Sequence, residues 1–169
     1  MDVLDPASDP RGYRRALGAF ATGVTVVTTV TDEGPVGITA NSFSSVSLDP
    51  PLILWAPDKG SRRYDAFARA GRFAINVLAV DQHGVCDAFR KSKDAFDAGE
   101  WETGADGIPV LARALAVYEC AQEALHDAGD HALVIGRVLS VRLRGGLPLV
   151  FHGGAYGAFA GLEGGAPPE

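Results

Sequence analysis

The chain has 169 residues, of which 47% are hydrophobic and 21% charged, and its formal net charge is −6. That length and balance fit one soluble globular domain with a real core, and the acidity argues against a nucleic-acid partner, because phosphate backbones are bound by basic side chains that release counterions. No apolar run is long enough to span a bilayer and "MDVLDPASDPRGYRR" lacks the apolar centre of a signal peptide, so a cytoplasmic protein without membrane contact is expected.

Asp9-Pro10 reads as an N-cap and first helical position, with Tyr13, Leu17 and Phe20 marking one helix face and Gly23 closing the helix. "VTVVTTVTDEGPVGITA" reads as two strands rich in Val and Thr, joined by a turn from Asp32 to Pro35. Asp49-Pro50-Pro51 punctuates the chain before a buried strand, Leu52 to Trp55. Pro57 to Gly60 is a loop, and Ser61 caps a short helix that runs to Ala70 and is ended by Gly71. "RFAINVL" is the next strand, followed by a helix from Asp81 to Phe89 and an irregular, charged stretch up to Pro109. From Leu111 long strands return. Leu115, Val117, Glu119 and Ala121 alternate with Ala116, Tyr118 and Cys120; "HDAGDH" supplies a turn, and His131 to Leu143 alternates again.

Gly145-Gly146 then leads into "LPLVFHGGAYGAF", and the Gly/Pro-rich "LEGGAPPE" is expected to fray. Many strands, few helices and repeated hairpins favour a closed antiparallel barrel with peripheral helices. No strand–GxGxxG–helix unit is present, which excludes a Rossmann domain. Cys86 and Cys120 are too few for a disulfide framework and read as reduced, half-buried thiols. His83, His126, His131 and His152 lack metal-ligand spacing, so no metal is expected.

Three segments carry chemistry. The first, "VGITANSFSSVSLDPPLIL", alternates like a core strand, yet Gly37, Thr39, Ala40, Asn41, Ser42, Ser44, Ser45 and Ser47 are too small to fill a core. Small side chains let a flat ring approach the backbone, and hydroxyls and N–H groups there offer donors to ring carbonyls; an edge strand with a polar solvent face has the same composition. The second, "PDKGSRRYDAF", places Lys59, Ser61, Arg62 and Arg63 at a helix start, which suits a phosphate. A further cationic cluster, Arg90-Lys91-Ser92-Lys93, is enough for one small anion. The third, "HDAGDHALVIGRV", sets Asp130 and His131 where a hairpin turn enters a strand, a place from which side chains reach a cleft or merely cap the turn.

In this order the segments "FATGVTVVTT", "GITANSFSSVSLDPPLILWAPDKGSR", "GRFAINVL", "GIPVLARALAVYEC", "HDAGDHALVIGRV" and "PLVFHGGAYG" resemble the flavin reductase-like family. This is a family of split antiparallel β-barrels with a few peripheral helices, the small reductase components of two-component flavin-dependent monooxygenases. The resemblance runs from Tyr13 to Phe159 and implies an N-terminal extension over 1–12, one domain over 13–160 and a disordered tail over 161–169. It implies a homodimer that reduces FMN or FAD with NADH or NADPH and passes reduced flavin to a partner monooxygenase.

Residue by residue, the resemblance sets Val36, Gly37, Ile38, Thr39, Asn41 and Ser42 along the flavin ring, with Ser44 and Ser45 as further donors. Ala56, Pro57, Asp58, Lys59, Gly60, Ser61 and Arg62 would wrap the ribityl chain and phosphate. His131, Gly154 and Tyr156 would face the nicotinamide. Two positions depart from the family pattern: Arg63, where a small hydroxyl residue is commoner, and His152, which receives no role. A flavin-binding electron carrier, or a barrel oxidase without nicotinamide turnover, remains the alternative function.

Overall fold

The computed structural model of the chain describes residues 3–161; the tail from 162 onward lies outside the described residues. Helix α1 (Pro10–Gly18) starts with Pro at its first turn and with the Asp9 carboxylate accepting from the Gly12 amide at 2.8 Å. It ends at Ala19, before Gly23, which lies instead in the short strand β1 (Thr22–Gly23). The expected apolar face is not buried and Phe20 lies beyond the helix: Tyr13, Leu17 and Phe20 are 48%, 58% and 77% exposed. The boundary drawn after residue 12 falls within this helix.

Strands β2 (Thr25–Thr31) and β3 (Gly34–Ala40) form a hairpin around Asp32-Glu33, a tighter turn than the four residues read from the sequence. Strands β4 (Ser44–Leu48) and β5 (Pro51–Trp55) form the next hairpin. In β5 only Ile53 and Trp55 are buried while Leu52 and Leu54 are half-buried, so the expected buried run has one core face. Helix α2 is shorter than expected, Tyr64–Ala68. Ser61 lies outside it, where its hydroxyl accepts from the Arg63 amide at 3.2 Å and no side chain caps the helix.

Strand β6 (Arg72–Val77) is followed by a 3₁₀ turn, Val80–Gln82, and helix α3 (His83–Lys91). The stretch expected to be irregular contains the hairpin of β7 (Trp101–Thr103) and β8 (Pro109–Leu111). Strands β9 (Ala116–Ala128) and β10 (His131–Leu143) are joined by Gly129-Asp130, with Gly129 at φ 71°, a conformation that glycine adopts without strain. Strands β11 (Leu149–His152) and β12 (Ala155–Ala158) close the described chain with a Gly153-Gly154 turn.

Seven strands form one antiparallel sheet in the order β3-β2-β6-β9-β10-β5-β4, and β1, β11 and β12 form a second, three-stranded sheet. The closed barrel expected from the hairpins is not observed. β3 and β4 are joined directly by Asn41-Ser42-Phe43 yet lie at opposite edges of the large sheet without pairing, so the barrel is split. The outer edge of β3 is occupied instead by the chain leaving α3, where the Gly37 amide donates to the Lys93 carbonyl at 2.8 Å.

Two hydrophobic cores flank the sheet. Val26 and Ala74 point into one with Cys86, Phe89 and Val110; Val27, Phe73 and Ile75 point into the other with Trp55, Phe67 and Val134. The strands β2 and β6 thus supply alternate residues to both cores, the period-two consequence of a pleated strand. The buried threonines of β2 satisfy their hydroxyls on distant carbonyls: Thr28 on Pro109 at 2.6 Å and Thr29 on Arg72 at 2.8 Å. Asn76 is fully buried; its amide donates to the Val26 carbonyl at 2.9 Å and its oxygen accepts from the Leu111 amide at 2.8 Å. Cys86 and Cys120 are both free and fully buried, not half-buried.

Candidate functional site

The small-residue strand serves two neighbours. On one side it receives α3: a Cβ on Gly37 would stand 2.3 Å from Cε1 of Phe89, and the Thr39 hydroxyl donates to the Cys86 carbonyl at 2.8 Å. Val36 and Gly37 are buried, whereas Ile38, Thr39 and Ala40 are only half-buried and Asn41 is exposed. The lack of side chain at Gly37 is therefore used by the protein's own helix, and the accessible part of the strand is its end, Thr39 to Asn41.

Just beyond that end, the Ser42 hydroxyl donates to the Ala56 carbonyl at 3.1 Å and accepts from the Ala56 amide at 2.9 Å. This clamp brings the end of β3 to the start of the loop Ala56 to Arg62. The loop in turn lies against the β9–β10 turn. The Lys59 amide donates to the Asp130 carbonyl at 2.9 Å, the Ala132 amide donates to the Pro57 carbonyl at 3.1 Å, and Asp58 pairs across to His131. Within the loop, the Gly60 amide donates to the Asp58 carboxylate at 2.7 Å. His131 Nδ1 sits 2.7 Å from an Asp130 carboxylate oxygen, and this bond, with the charge behind it, holds the Asp130 carboxyl below its ordinary range. Ser44 and Ser45 are exposed on the edge strand β4.

The expected trio of phosphate-binding cations is reduced by these contacts. Lys59 pairs with Asp127 and donates to the Gly129 carbonyl at 2.6 Å. Arg63 donates to the Phe89 carbonyl at 2.6 Å, near the C-terminal end of α3. Burial lowers its pKa first, with Arg62 adding to the effect. Arg63 is thus a structural fastener of α3. Arg62 is exposed and lines a cleft of about 500 Å³ with Arg63, Arg69 and Lys93.

A second cleft, of about 190 Å³, lies where the two sheets meet. Thr39, Ala40 and Asn41 line it from the large sheet, Phe151 and Tyr156 from the small one, and Arg90 from α3. Tyr156 packs on Phe151 and on His83, with ring centroids 5.1 Å and 4.8 Å apart. Burial first, and then the neighbouring Cys86 thiol, push the Tyr156 hydroxyl up to about 12, so it stays protonated. Gly154, at φ 86°, forms the tight turn before it. The structure therefore brings Thr39, Asn41 and Tyr156 together, and separately joins the Ala56–Arg62 loop to His131. Arg90 was read from the sequence only as part of a cationic run; its position on the cleft follows from the docking of α3 under β3.

These residues fit a flat heteroaromatic ligand: a shallow cleft with an aromatic wall, an amide and a cation, beside a strand end without bulky side chains. Among the described residues, no group of three or more His, Cys, Asp and Glu is placed to hold a metal ion, and no helix is long and apolar enough to cross a membrane.

Comparison with known proteins agrees with this geometry. The model of the flavin reductase like domain matches residues 17–160. The FMN reductase (NADH) SmoA of Agrobacterium fabrum is 53% identical over 150 residues, which cover 89% of this chain and 86% of SmoA. HsaB of Rhodococcus jostii, the reductase subunit of a flavin-dependent monooxygenase, is 43% identical over 156 residues, 91% of this chain and 80% of its own. Among solved structures, the NADH:FAD oxidoreductase SgcE6 of Streptomyces globisporus C-1027, in complex with NAD and FAD fragments, superposes with a TM-score of 0.89. That match covers 95% of this chain and 98% of SgcE6 at 37% identity.

Proposed function

The chain belongs to the flavin reductase-like family, and we propose that it is an NAD(P)H:flavin oxidoreductase that reduces FMN or FAD and supplies reduced flavin to a partner flavin-dependent monooxygenase. The observation that carries this reading is the convergence of the β3 end and the Gly154–Tyr156 hairpin on one cleft. Its support is the near-complete match to a relative named as an NADH-dependent FMN reductase. The overall change is NADH + H⁺ + FMN → NAD⁺ + FMNH₂, and the two bound cofactors supply the hydride donor and acceptor. What this chain adds is orientation and charge.

In this reading Thr39, Asn41 and Ser42 line the flavin ring, with Ser44 and Ser45 as neighbouring donors, while Val36 and Gly37, both buried, support the strand from behind. The loop from Ala56 through Pro57, Asp58, Lys59, Gly60 and Ser61 to Arg62 wraps the ribityl phosphate, with Arg62 its least committed cation. His131, Gly154 and Tyr156 serve the nicotinamide. No residue is needed as nucleophile.

The working unit is a homodimer. A cleft of about 190 Å³ falls below the roughly 300 Å³ of ordinary small-molecule sites, and a second copy lying over it would enlarge it. Leu48 and Leu143 are 96% and 83% exposed, and with Leu139 and Val141 they leave apolar strand surface uncovered. Light scattering at micromolar concentration is expected to give twice the chain mass; a monomer would refute this.

The test of the activity mixes purified protein with NADH or NADPH and with FMN or FAD, following the nicotinamide absorbance. Nicotinamide oxidation well above the protein-free control is expected. Flavin binding without such oxidation would establish the electron-carrier alternative.

A further inference from the structure

We infer that Arg90 is the residue that binds the diphosphate of the nicotinamide dinucleotide, an inference that rests on the reductase reading above. Charge separates Arg90 from the other polar groups of the 190 Å³ cleft. Those groups are neutral: the Thr39 hydroxyl, which donates to the Cys86 carbonyl at 2.8 Å, the Tyr156 hydroxyl, which stays protonated, and the Asn41 amide, 3.4 Å from the Thr22 hydroxyl. Arg90 is the one charged residue lining the cleft. Its Nη1 donates to Asp87 at 2.9 Å, leaving Nε and Nη2 without protein partners among the described residues.

Asp87 also stands 3.8 Å from His83, whose ring packs on Tyr156. The carboxylate thus links the His83 ring to the Arg90 guanidinium and fixes where the cation stands. A guanidinium held in this way offers paired N–H donors to phosphate oxygens, while the apolar and aromatic lining behind it suits the uncharged ring of the same ligand. The cation also sits in the last turn of α3, where the helix dipole favours it; a purely structural role of that kind would alter stability and not ligand affinity.

Arg90 is half exposed and its ion pair with Asp87 is a surface one, so Arg90→Ala is expected to fold normally. Calorimetry with NAD⁺ on wild type and variant reads binding without turnover; about tenfold weaker binding is expected for Arg90→Ala, with partial recovery in Arg90→Lys. In steady state the KM for NADH should rise by a similar factor with kcat nearly unchanged and FMN affinity unaffected. With 1-benzyl-1,4-dihydronicotinamide, a hydride donor without phosphate, the two proteins should be equal.

Equal NAD⁺ affinity in wild type and Arg90→Ala overturns the inference, as does an equal loss with the phosphate-free donor. A wild type that binds NAD⁺ through Arg90 but never oxidises NADH would refute the reductase reading alone; one that neither binds NAD⁺ nor oxidises NADH refutes both.

Discussion

Ser42 and Glu119 show how single polar side chains hold the fold around the cleft. The Ser42 hydroxyl serves both the amide and the carbonyl of Ala56, tying the β3 end to the loop that follows β5. Removing it in Ser42→Ala leaves two partly buried backbone groups short of partners, at a cost of about 1–3 kcal/mol. Urea denaturation is expected to show that loss, together with weaker FMN binding in the folded protein. Glu119 is nearly buried and accepts from the Ala105 amide at 2.6 Å and the Ser140 hydroxyl at 2.8 Å. The Ala105 bond is the main reason its carboxyl titrates below the ordinary 4.5. A carboxyl lowered by folding contributes its full stabilisation above that ordinary value and loses it as pH falls through the lowered one. Glu119→Gln should therefore be less stable than wild type near neutrality, and the gap should close on acidification, as thermal midpoints measured from about pH 7 down to pH 3 would show. A gap that does not narrow would mean the carboxylate charge is not what Ala105 and Ser140 recognise.

Helix α3 is the element on which both readings of the small-residue strand meet. It is fastened by Thr39 at Cys86 and by Arg63 at Phe89, and the chain just past it by the Gly37 amide at Lys93. Gly37→Ala would press a methyl carbon to 2.3 Å from the fully buried Phe89 ring. Overpacking of that kind costs about 1–3 kcal/mol, and guanidinium denaturation should record it; an unchanged midpoint would mean α3 shifts freely. The long strands were legible in the sequence, because β-branched runs and period-two alternation are local signals: His131 to Leu143 coincides with β10, whereas the three-residue strands β7 and β8 are too short to show a period. What covers a face was not. Tyr13 and Leu17 lie on α1 and Phe20 just beyond it, yet all three stay exposed. Gly37 likewise reads as room for a ligand, because the sequence does not say that Phe89, fifty-two positions away, fills that room.

For the whole molecule, the split sheet explains why the site was only partly readable. Hairpins were visible one by one, but whether β3 meets β4 depends on pairing between edges, and the segment after α3 occupies that edge first. Two groups of candidate residues follow from the split. Thr39, Asn41 and Tyr156 share the cleft between sheets, while His131 sits with Asp58 at the far end of β10. The family resemblance lists them together, since it carries positions and not distances. The Ser42–Ala56 clamp and the loop that follows it link the two groups.

The two buried thiols bear on how such an enzyme survives its own product. Reduced flavin released into air reacts with dioxygen, FMNH₂ + O₂ → FMN + H₂O₂, so the protein works inside a source of peroxide. Peroxide attacks thiolates and not thiols. Burial raises the Cys86 thiol, and burial with the Glu119 charge pushes Cys120 up to about 12. Native protein should show no fast-reacting thiol towards Ellman's reagent at about pH 8, and both thiols after denaturation. Rapid labelling of the native protein would contradict this. The chain then keeps its only readily oxidised sulfurs, apart from Met1, in a form and a place that peroxide does not reach.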